Sequence, residues 1–198
     1  MTRLPQPWRV TATRTLVKDK WIDLRADDCV RADGLEIKPY YVLAYPDWVQ
    51  VIAIDADENL VVIRQYRHGM ARVTLEIPSG CIDATDADPL AAAARELREE
   101  TGYAAERLTR VGVITNNPAN QTNRIHIVLA EGARRVAEQS LDESEEIAVE
   151  LMPLAQARAD VGVPFAGSVH HTRQDRQVSD RRGSSYLLDW GKWSNCVV

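Results

Sequence analysis

Three glutamates in the stretch "ARELREETG" are spaced to converge on one side of a helix. At about 100° per residue, Glu96, Glu99 and Glu100 fall within an arc of about 100°. They repel one another at the i,i+3 and i,i+4 spacings, and they lie near the helix C-terminus, where the helix dipole disfavours anions. Arg95 compensates only in part, by reaching Glu99 four residues on. Two interpretations stay open at this point: a solvated acidic face, or an oxygen-rich site for Mg²⁺, with Mn²⁺ as a substitute.

The helix that carries these glutamates has clear boundaries. Asp88 is a suitable N-cap, Pro89 suits the first helical position, and Gly102 suits the C-terminal cap. A loop from Cys81 to Ala87 precedes the helix. The predicted buried stripe consists of four residues: Leu90, Ala94, Leu97 and Thr101.

Strands surround this helix on both sides in the chain. The region from Trp8 to Val42 alternates weakly and contains an Asp33-Gly34 turn, which predicts a set of antiparallel strands. "WVQVIAIDADENLVVIRQY" predicts a buried hairpin. Further strands are predicted at "VTLEIPSG", "RLTRVGVIT", "RIHIVLA" and "EIAVELMPL", and a second helix begins at "PLAQARADV". This order indicates a mixed α/β domain.

Composition narrows the functional class. The chain has 198 residues with a formal net charge of -5, and no basic patch that would indicate nucleic-acid binding. Its three cysteines form no patterned pairs, which is typical of a reduced cytoplasmic protein. No stretch approaches the roughly 20 apolar residues of a membrane span. We therefore expect a soluble, cytoplasmic protein that binds neither nucleic acid nor a membrane.

The segment from Gly80 to Tyr103, "GCIDATDADPLAAAARELREETGY", resembles the signature of the Nudix hydrolases. The second half of that signature matches completely, from Arg95 to Tyr103. The first half departs, because Gly80 lies one residue too far from Arg95, and Asp86 or Asp88 stands where the family has its first glutamate.

The resemblance extends to the ADP-ribose and nucleotide-sugar pyrophosphatase branch through "YPDWVQVIAI", "VVIRQYRHG" and "LEIPSG". It implies a Nudix-type α/β/α sandwich with a mixed sheet, preceded by an N-terminal antiparallel β arm. It also implies Mg²⁺ ligation by Glu96, Glu99, Glu100 and the backbone carbonyl of Ser79. Arg95 would orient these carboxylates through salt bridges.

The branch often supplies a further glutamate, as catalytic base or metal ligand, from a loop after the signature. "LDESEEIAVELMPL" holds the matching position, and both Glu143 and Glu145 are candidates. With Glu100 and Arg95, they complete the set of predicted catalytic residues.

Substrate contacts implied by the resemblance come from the strands. Arg64 and Arg67 are candidates for the diphosphate, although their spacing places them on one side of a strand only if a bulge or strand end intervenes. Glu76 is also a candidate, since it is similar to a family residue that contacts the substrate or neighbouring arginines. Pairing of an edge-strand arginine with Glu76 is the structural alternative. Trp48 is a candidate for stacking on a base in a partner subunit, or else a strand-end aromatic of the core.

The predicted organisation is an N-terminal β arm over residues 1–45, a catalytic domain over 46–163 and an atypical polar tail over 164–198. The resemblance implies a homodimer that hydrolyses the diphosphate of ADP-ribose or another nucleoside diphosphate sugar. ADP-ribose is the favoured substrate. The alternatives are a hydrolase of GDP-mannose or another nucleotide sugar, a non-catalytic ligand-binding regulator, and a hydrolase of nucleoside triphosphates or capped RNA.

Overall fold

The computed structural model describes residues 4–160 and two short strands in the C-terminal region. The strands are β1 (Arg9–Lys18), β2 (Asp23–Val30), β3 (Glu36–Leu43), β4 (Trp48–Asp55), β5 (Asn59–Arg67), β6 (Arg72–Glu76), β7 (Ser79–Cys81), β8 (Tyr103–Ala104), β9 (Arg107–Thr115), β10 (Arg124–Arg135), β11 (Ile147–Pro153), β12 (Val178–Ser179) and β13 (Ser185–Tyr186). The helices are α1 (Pro89–Thr101) and α2 (Leu154–Asp160), with a 3-10 turn at His68–Met70.

The N-terminal strands form a separate antiparallel sheet in the order β1-β2-β3, as the sequence predicts. Gly34 ends the β2–β3 turn with a φ of +87°, a conformation that glycine adopts without steric cost. All ten residues of β1 are exposed. This sheet meets the rest of the protein where the Leu43 amide donates to the carbonyl of Asn120.

The main sheet has eight strands, with β11-β5-β4-β10-β8 along its central path. Strands β6, β7 and β9 pair with β5, β4 and β10, respectively. Strand β10 runs parallel to β4, whereas the other pairings are antiparallel. The sheet is therefore mixed, and the predicted β4–β5 hairpin is confirmed.

One helix covers each face of the main sheet. On one face, the α1 residues Ala93 and Leu97 pack against Val49, Val51 and their neighbours in β4 and β10. On the other face, Ala157 of α2 packs with apolar residues of β5 and β6. These two apolar layers confirm the predicted α/β/α sandwich.

Helix α1 has the predicted ends, and its buried stripe agrees with the prediction at Leu97 and Thr101 but not at Ala94. The Asp88 carboxylate accepts hydrogen bonds from the amides of Leu90 and Ala91, and Gly102 closes the helix with a φ of 75°. The prediction for Ala94 is wrong, since this residue is exposed while Ala93 is buried. The stripe instead runs through Ala92, Ala93, Leu97, Glu100 and Thr101. The helix is rotated so that Glu100, which the sequence assigned to a neighbouring face, is buried.

The sequence does not predict four short strands, β7, β8, β12 and β13, because two or three residues are too few to show a period. Strand β7 lies where the sequence predicted the end of one strand and the start of a loop.

Within the part of the chain that the structure describes, no helix is long and apolar enough to cross a membrane. Most of the predicted polar tail over 164–198 lies outside the described residues. The limits of the arm and the catalytic domain stay predictions.

Candidate active site

The loop that begins at β7 lies directly against α1. The Ser79 amide donates a hydrogen bond of 2.9 Å to Oε2 of Glu100. A Cβ atom at Gly80 would lie 2.2 Å from the carboxyl carbon of Glu96, far inside van der Waals contact. Any larger residue at position 80 would therefore require the Glu96 carboxylate to move away from the loop.

Glu100 is the most deeply buried glutamate of the helix, with a relative exposure of 4%. Burial raises its pKa to about 8, because desolvation disfavours the charged form. The charges of Glu96 and Glu145 contribute to this rise, whereas the Ser79 amide and the charge of Arg67 oppose it, so that about 8 is the net result. Ionising this carboxyl group is costly in the absence of a cation.

Glu96 shares the same electrostatic environment. Its pKa is raised above the ordinary value, first by burial and then by the charges of Glu99 and Glu145. The neighbouring Arg95 guanidinium opposes the shift through a hydrogen bond of 2.8 Å to Oε1. Two partly or fully buried carboxylates of one helix thus repel each other and a third carboxylate from a loop.

Arg95 anchors the outer side of this cluster. Its Nη1 donates to Glu96 and, at 3.1 Å, to Oε2 of Glu99. Its Nη2 donates to the backbone carbonyl of Cys81 at 2.9 Å. The orienting salt bridges expected of Arg95 are therefore present. The carbonyl of Cys81 was not foreseen, since a backbone acceptor leaves no signal in residue type.

The structure separates the roles of Asp86 and Asp88, which the sequence left open. Asp86 accepts bonds from Arg95 Nε at 3.1 Å and Arg95 Nη2 at 2.8 Å, and this pairing lowers the pKa of Asp86. Asp88 instead caps α1. The extra residue after Gly80 is thus accommodated in the loop, and a carboxylate still reaches Arg95.

Arg67 and Glu76 form a bidentate pair across the β5–β6 hairpin. Arg67 Nε and Nη2 donate to the two carboxylate oxygens of Glu76 at 2.9 and 2.7 Å. These bonds raise the pKa of Arg67, and the charges of Glu100 and Glu145 raise it further. The guanidinium therefore lies within electrostatic range of Glu100 and Glu145. Its side chain is 35% exposed, so one part of it can still meet a ligand.

The two loop glutamates differ in their surroundings. Glu143 is exposed, whereas Glu145 is half-buried, and Oε2 of Glu145 accepts the Asp142 amide at 3.1 Å. The Glu145 charge acts on Glu96, Glu100 and Arg67. Glu145 therefore lies within electrostatic range of the cluster.

Arg64 and Trp48 occupy different positions relative to the cluster. Arg64 is exposed and pairs with Glu150 at 2.6 Å. The β5 pairings contain no register shift, so Arg64 and Arg67 lie on opposite faces of the strand. Trp48 is half-buried at the start of β4 and is paired with Cys81, which places it beside the β7 loop.

Together, these residues bring several carboxylates close to one guanidinium. Among residues 4–160, no three side chains of His, Cys, Asp or Glu are already arranged as a metal cage. Glu99 bonds to Arg95 and is 44% exposed on its side chain. The donor chemistry nevertheless fits a hard cation, because carboxylate and carbonyl oxygens are the ligands that Mg²⁺ prefers.

Comparison with protein families matches two consecutive regions. Residues 45–172 match the NUDIX domain, and residues 8–43 match the nucleoside diphosphate sugar hydrolase N-terminal domain. The first match covers more than half of the chain. It includes the β7 loop, α1 and the loop that carries Glu145.

Several curated proteins resemble the chain over most of its length. The ADP-ribose pyrophosphatase of Bacillus subtilis is 30% identical over 150 residues, which cover 75% of this chain and 80% of that protein. The ADP-ribose pyrophosphatase of Mycobacterium tuberculosis is 30% identical over 131 residues, 66% of this chain and 63% of that protein. The methanol dehydrogenase activator of Bacillus methanolicus is 31% identical, covering 67% of this chain and 71% of that protein.

Among solved structures, an ADP compounds hydrolase superposes with a TM-score of 0.71. Its sequence is 24% identical, and the superposition covers 82% of this chain and 87% of that one. This similarity supports the fold. The family match, the relatives and the signature on α1 together show that the chain belongs to the Nudix hydrolase family.

Proposed function

We propose that the protein hydrolyses the diphosphate bond of a nucleoside diphosphate sugar, with ADP-ribose as the favoured substrate. The observation that carries this proposal is the packing of Glu96 and Glu100 against the β7 loop, where the charges of Glu145 and Arg67 also act on Glu100. The relatives named ADP-ribose pyrophosphatase support the choice of substrate. For ADP-ribose, the products would be AMP and ribose 5-phosphate.

Mg²⁺ is the proposed cofactor, with Mn²⁺ able to replace it. The raised pKa of Glu100, about 8, reflects burial and neighbouring negative charge that a cation would offset. Glu96, Glu99, Glu100 and the Ser79 carbonyl are the residues that would hold it. When bound, the ion neutralises phosphate oxygens and lowers the pKa of water.

Different residues of the chain bind the diphosphate, remove the proton from water and orient the carboxylates. Glu76 fixes the Arg67 guanidinium, whose planar donors match the oxygens of a diphosphate. Glu145 removes a proton from the attacking water while the new oxygen–phosphorus bond forms and the bond to the bridging oxygen breaks. Arg95 keeps Glu96 and Glu99 oriented.

A substrate panel tests the proposal. The protein is incubated with Mg²⁺ and, in separate reactions, ADP-ribose, GDP-mannose, UDP-glucose and dGTP, and released phosphomonoesters are measured. Fastest turnover of ADP-ribose is expected. Preference for GDP-mannose would move the substrate to the alternative sugar nucleotide. No turnover of any diphosphate sugar would refute the catalytic proposal and favour a ligand-binding regulator.

A homodimer and a cytoplasmic location belong to the same proposal. Every residue of β1 is exposed, and the large apolar side chains Val10, Leu16 and Val17 are among them. Contact with a second copy would cover them and could bring Trp48 near the partner's substrate. Sedimentation analysis tests this part, since a monomer at all concentrations would contradict it.

A further inference from the structure

The segment after β10 folds over the C-terminal end of α1. The amides of Val136 and Ala137 both donate to the carbonyl of Gly102, at 2.9 and 3.1 Å. The Ser140 amide donates to the carbonyl of Glu99 at 2.9 Å. Carbonyls at a helix C-terminus have no partner within the helix, so this segment supplies partners to the turn that carries Glu99 and Glu100.

Within this segment, the side chain of Gln139 connects two separate elements of the fold. Its Nε2 donates to the backbone carbonyl of Glu100 at 2.6 Å and to that of Ile147 at 3.1 Å. A side-chain amide nitrogen has two hydrogens, so one group can serve both acceptors. The two carbonyls belong to different elements, α1 and β11.

The second carbonyl lies close in sequence to Glu145. Ile147 opens β11 and is buried, and Glu145 lies two residues before it. The Glu145 amide donates to the carbonyl of Asp142 at 2.9 Å, which closes a tight turn before Glu145. The backbone of Glu145 therefore lies between this turn and Ile147, whose carbonyl shares the Gln139 amide with the carbonyl of Glu100.

We propose that Gln139 is a positioning residue that sets Glu145 relative to Glu100. The inference rests on the proposed function only where it makes Glu145 the acting group. The position requires a hydrogen-bond donor and a side chain long enough to reach both carbonyls. A glutamate would place a carboxylate against two carbonyl oxygens, and a leucine would supply no donor, whereas the glutamine amide donates to both.

A double-mutant cycle tests whether Gln139 acts through Glu145. Gln139→Leu should lower kcat about tenfold with KM changed less than about twofold, because displacing a reacting group weakens the chemical step more than binding. In the Glu145→Gln background, the same change should lower kcat by less than about twofold. Equal losses in both backgrounds would overturn the proposal, since they would show a general structural effect.

A matched control is available in Gln6, whose amide also donates to a backbone carbonyl, that of Leu4 at 3.2 Å. Gln6→Leu should leave kcat and KM unchanged. If Gln139→Leu does not fold, Gln139→Asn takes its place in the cycle, because it keeps the amide but is one methylene too short to reach both carbonyls.

Hydrogen exchange of the metal-free protein tests the same contact without any reaction. Gln139→Leu should speed exchange of amides in 142–147 by at least about tenfold, while β4 amides stay as they are in the parent protein. Unchanged exchange in 142–147 would overturn the proposal. If the parent hydrolyses no diphosphate sugar, the proposed function fails, and the exchange result still decides whether Gln139 holds the loop.

Discussion

Carboxylates at the two ends of α1 have opposite electrostatic surroundings. At the N-terminal end, Asp88 caps the helix and Asp86 binds Arg95, which lowers the pKa of Asp86. At the C-terminal end, Glu100 is buried beside other carboxylates, and its pKa rises to about 8. The same helix therefore has one end where charges are compensated and one where they repel.

This difference indicates what each end is for. Compensated carboxylates at a helix start stabilise the fold, through capping and a favourable interaction with the helix dipole. Buried carboxylates that repel one another at a helix end lower stability, and such an arrangement is typical of a site that binds a cation. Substitutions at the two ends should accordingly affect different measurements.

The largest effect is expected for Glu100→Gln. Loss of this carboxylate should lower kcat/KM by about 10³-fold, because stabilisation of the transition state by a metal ion is worth several kcal/mol. The melting temperature of the metal-free protein should stay the same or rise. Retained activity with lost stability would mean that the C-terminal end is structural, like the N-terminal end.

The loop glutamates should differ by a large factor. Glu145→Gln is expected to lower kcat about 10²-fold, which is at the low end for a general base. Glu143→Gln serves as the control, because Glu143 is exposed, and its kinetics should match those of the parent. Equal losses in both variants, or none in either, would contradict the assignment of Glu145.

Asp86→Asn tests whether the N-terminal end influences the C-terminal end through Arg95. The neutral amide should weaken the hydrogen bonds from Arg95 and lower the free energy of unfolding by about 2 kcal/mol, as expected for hydrogen bonds between charged groups. Activity should fall about tenfold, because Arg95 also orients Glu96 and Glu99. Denaturant unfolding and steady-state kinetics measure the two effects. Unchanged activity would show that Asp86 serves the fold alone.

Stability of the metal-free protein should depend on pH through Glu100. In the unfolded chain Glu100 ionises near its ordinary pKa of 4.5, whereas in the folded protein it keeps its proton up to about 8. The stability that this group contributes is therefore complete below about pH 4.5 and is lost as the pH rises to about 8, at about 1.4 kcal/mol per pH unit. Urea unfolding in a chelator should show this loss in the parent and a smaller loss in Glu100→Gln. Parallel pH profiles would argue against the buried charge.

The smallest effect is expected for Asp88→Ala. Removal of this cap leaves the amides of Leu90 and Ala91 without their carboxylate acceptor and should cost about 1 kcal/mol. Activity per folded molecule should be unchanged, because Asp88 does not contact Arg95. A fall in kcat comparable to that of Asp86→Asn would mean that the whole N-terminal end supports the reaction.

Local patterns were sufficient for most of the fold. The ends of α1 were predictable because capping depends on a few neighbouring residues, namely Asp88, Pro89 and Gly102. The longer strands were predictable from their apolar or alternating runs. The rotation of α1 was not, because alanines are compatible with buried and exposed positions, and packing against Val49 and Val51 decided between Ala93 and Ala94.

The sequence by itself determined which groups the candidate site contains: glutamates at fixed spacing on a helix, an arginine beside them and a glycine in the preceding loop. Tertiary structure alone decided which acidic residue reaches Arg95, which loop glutamate approaches Glu100 and that Arg64 faces away. The physical reason is the sequence distance over which each interaction acts. Helix spacing and capping act between residues a few positions apart, whereas burial and charge repulsion at Glu100 depend on strands and loops that only folding brings together.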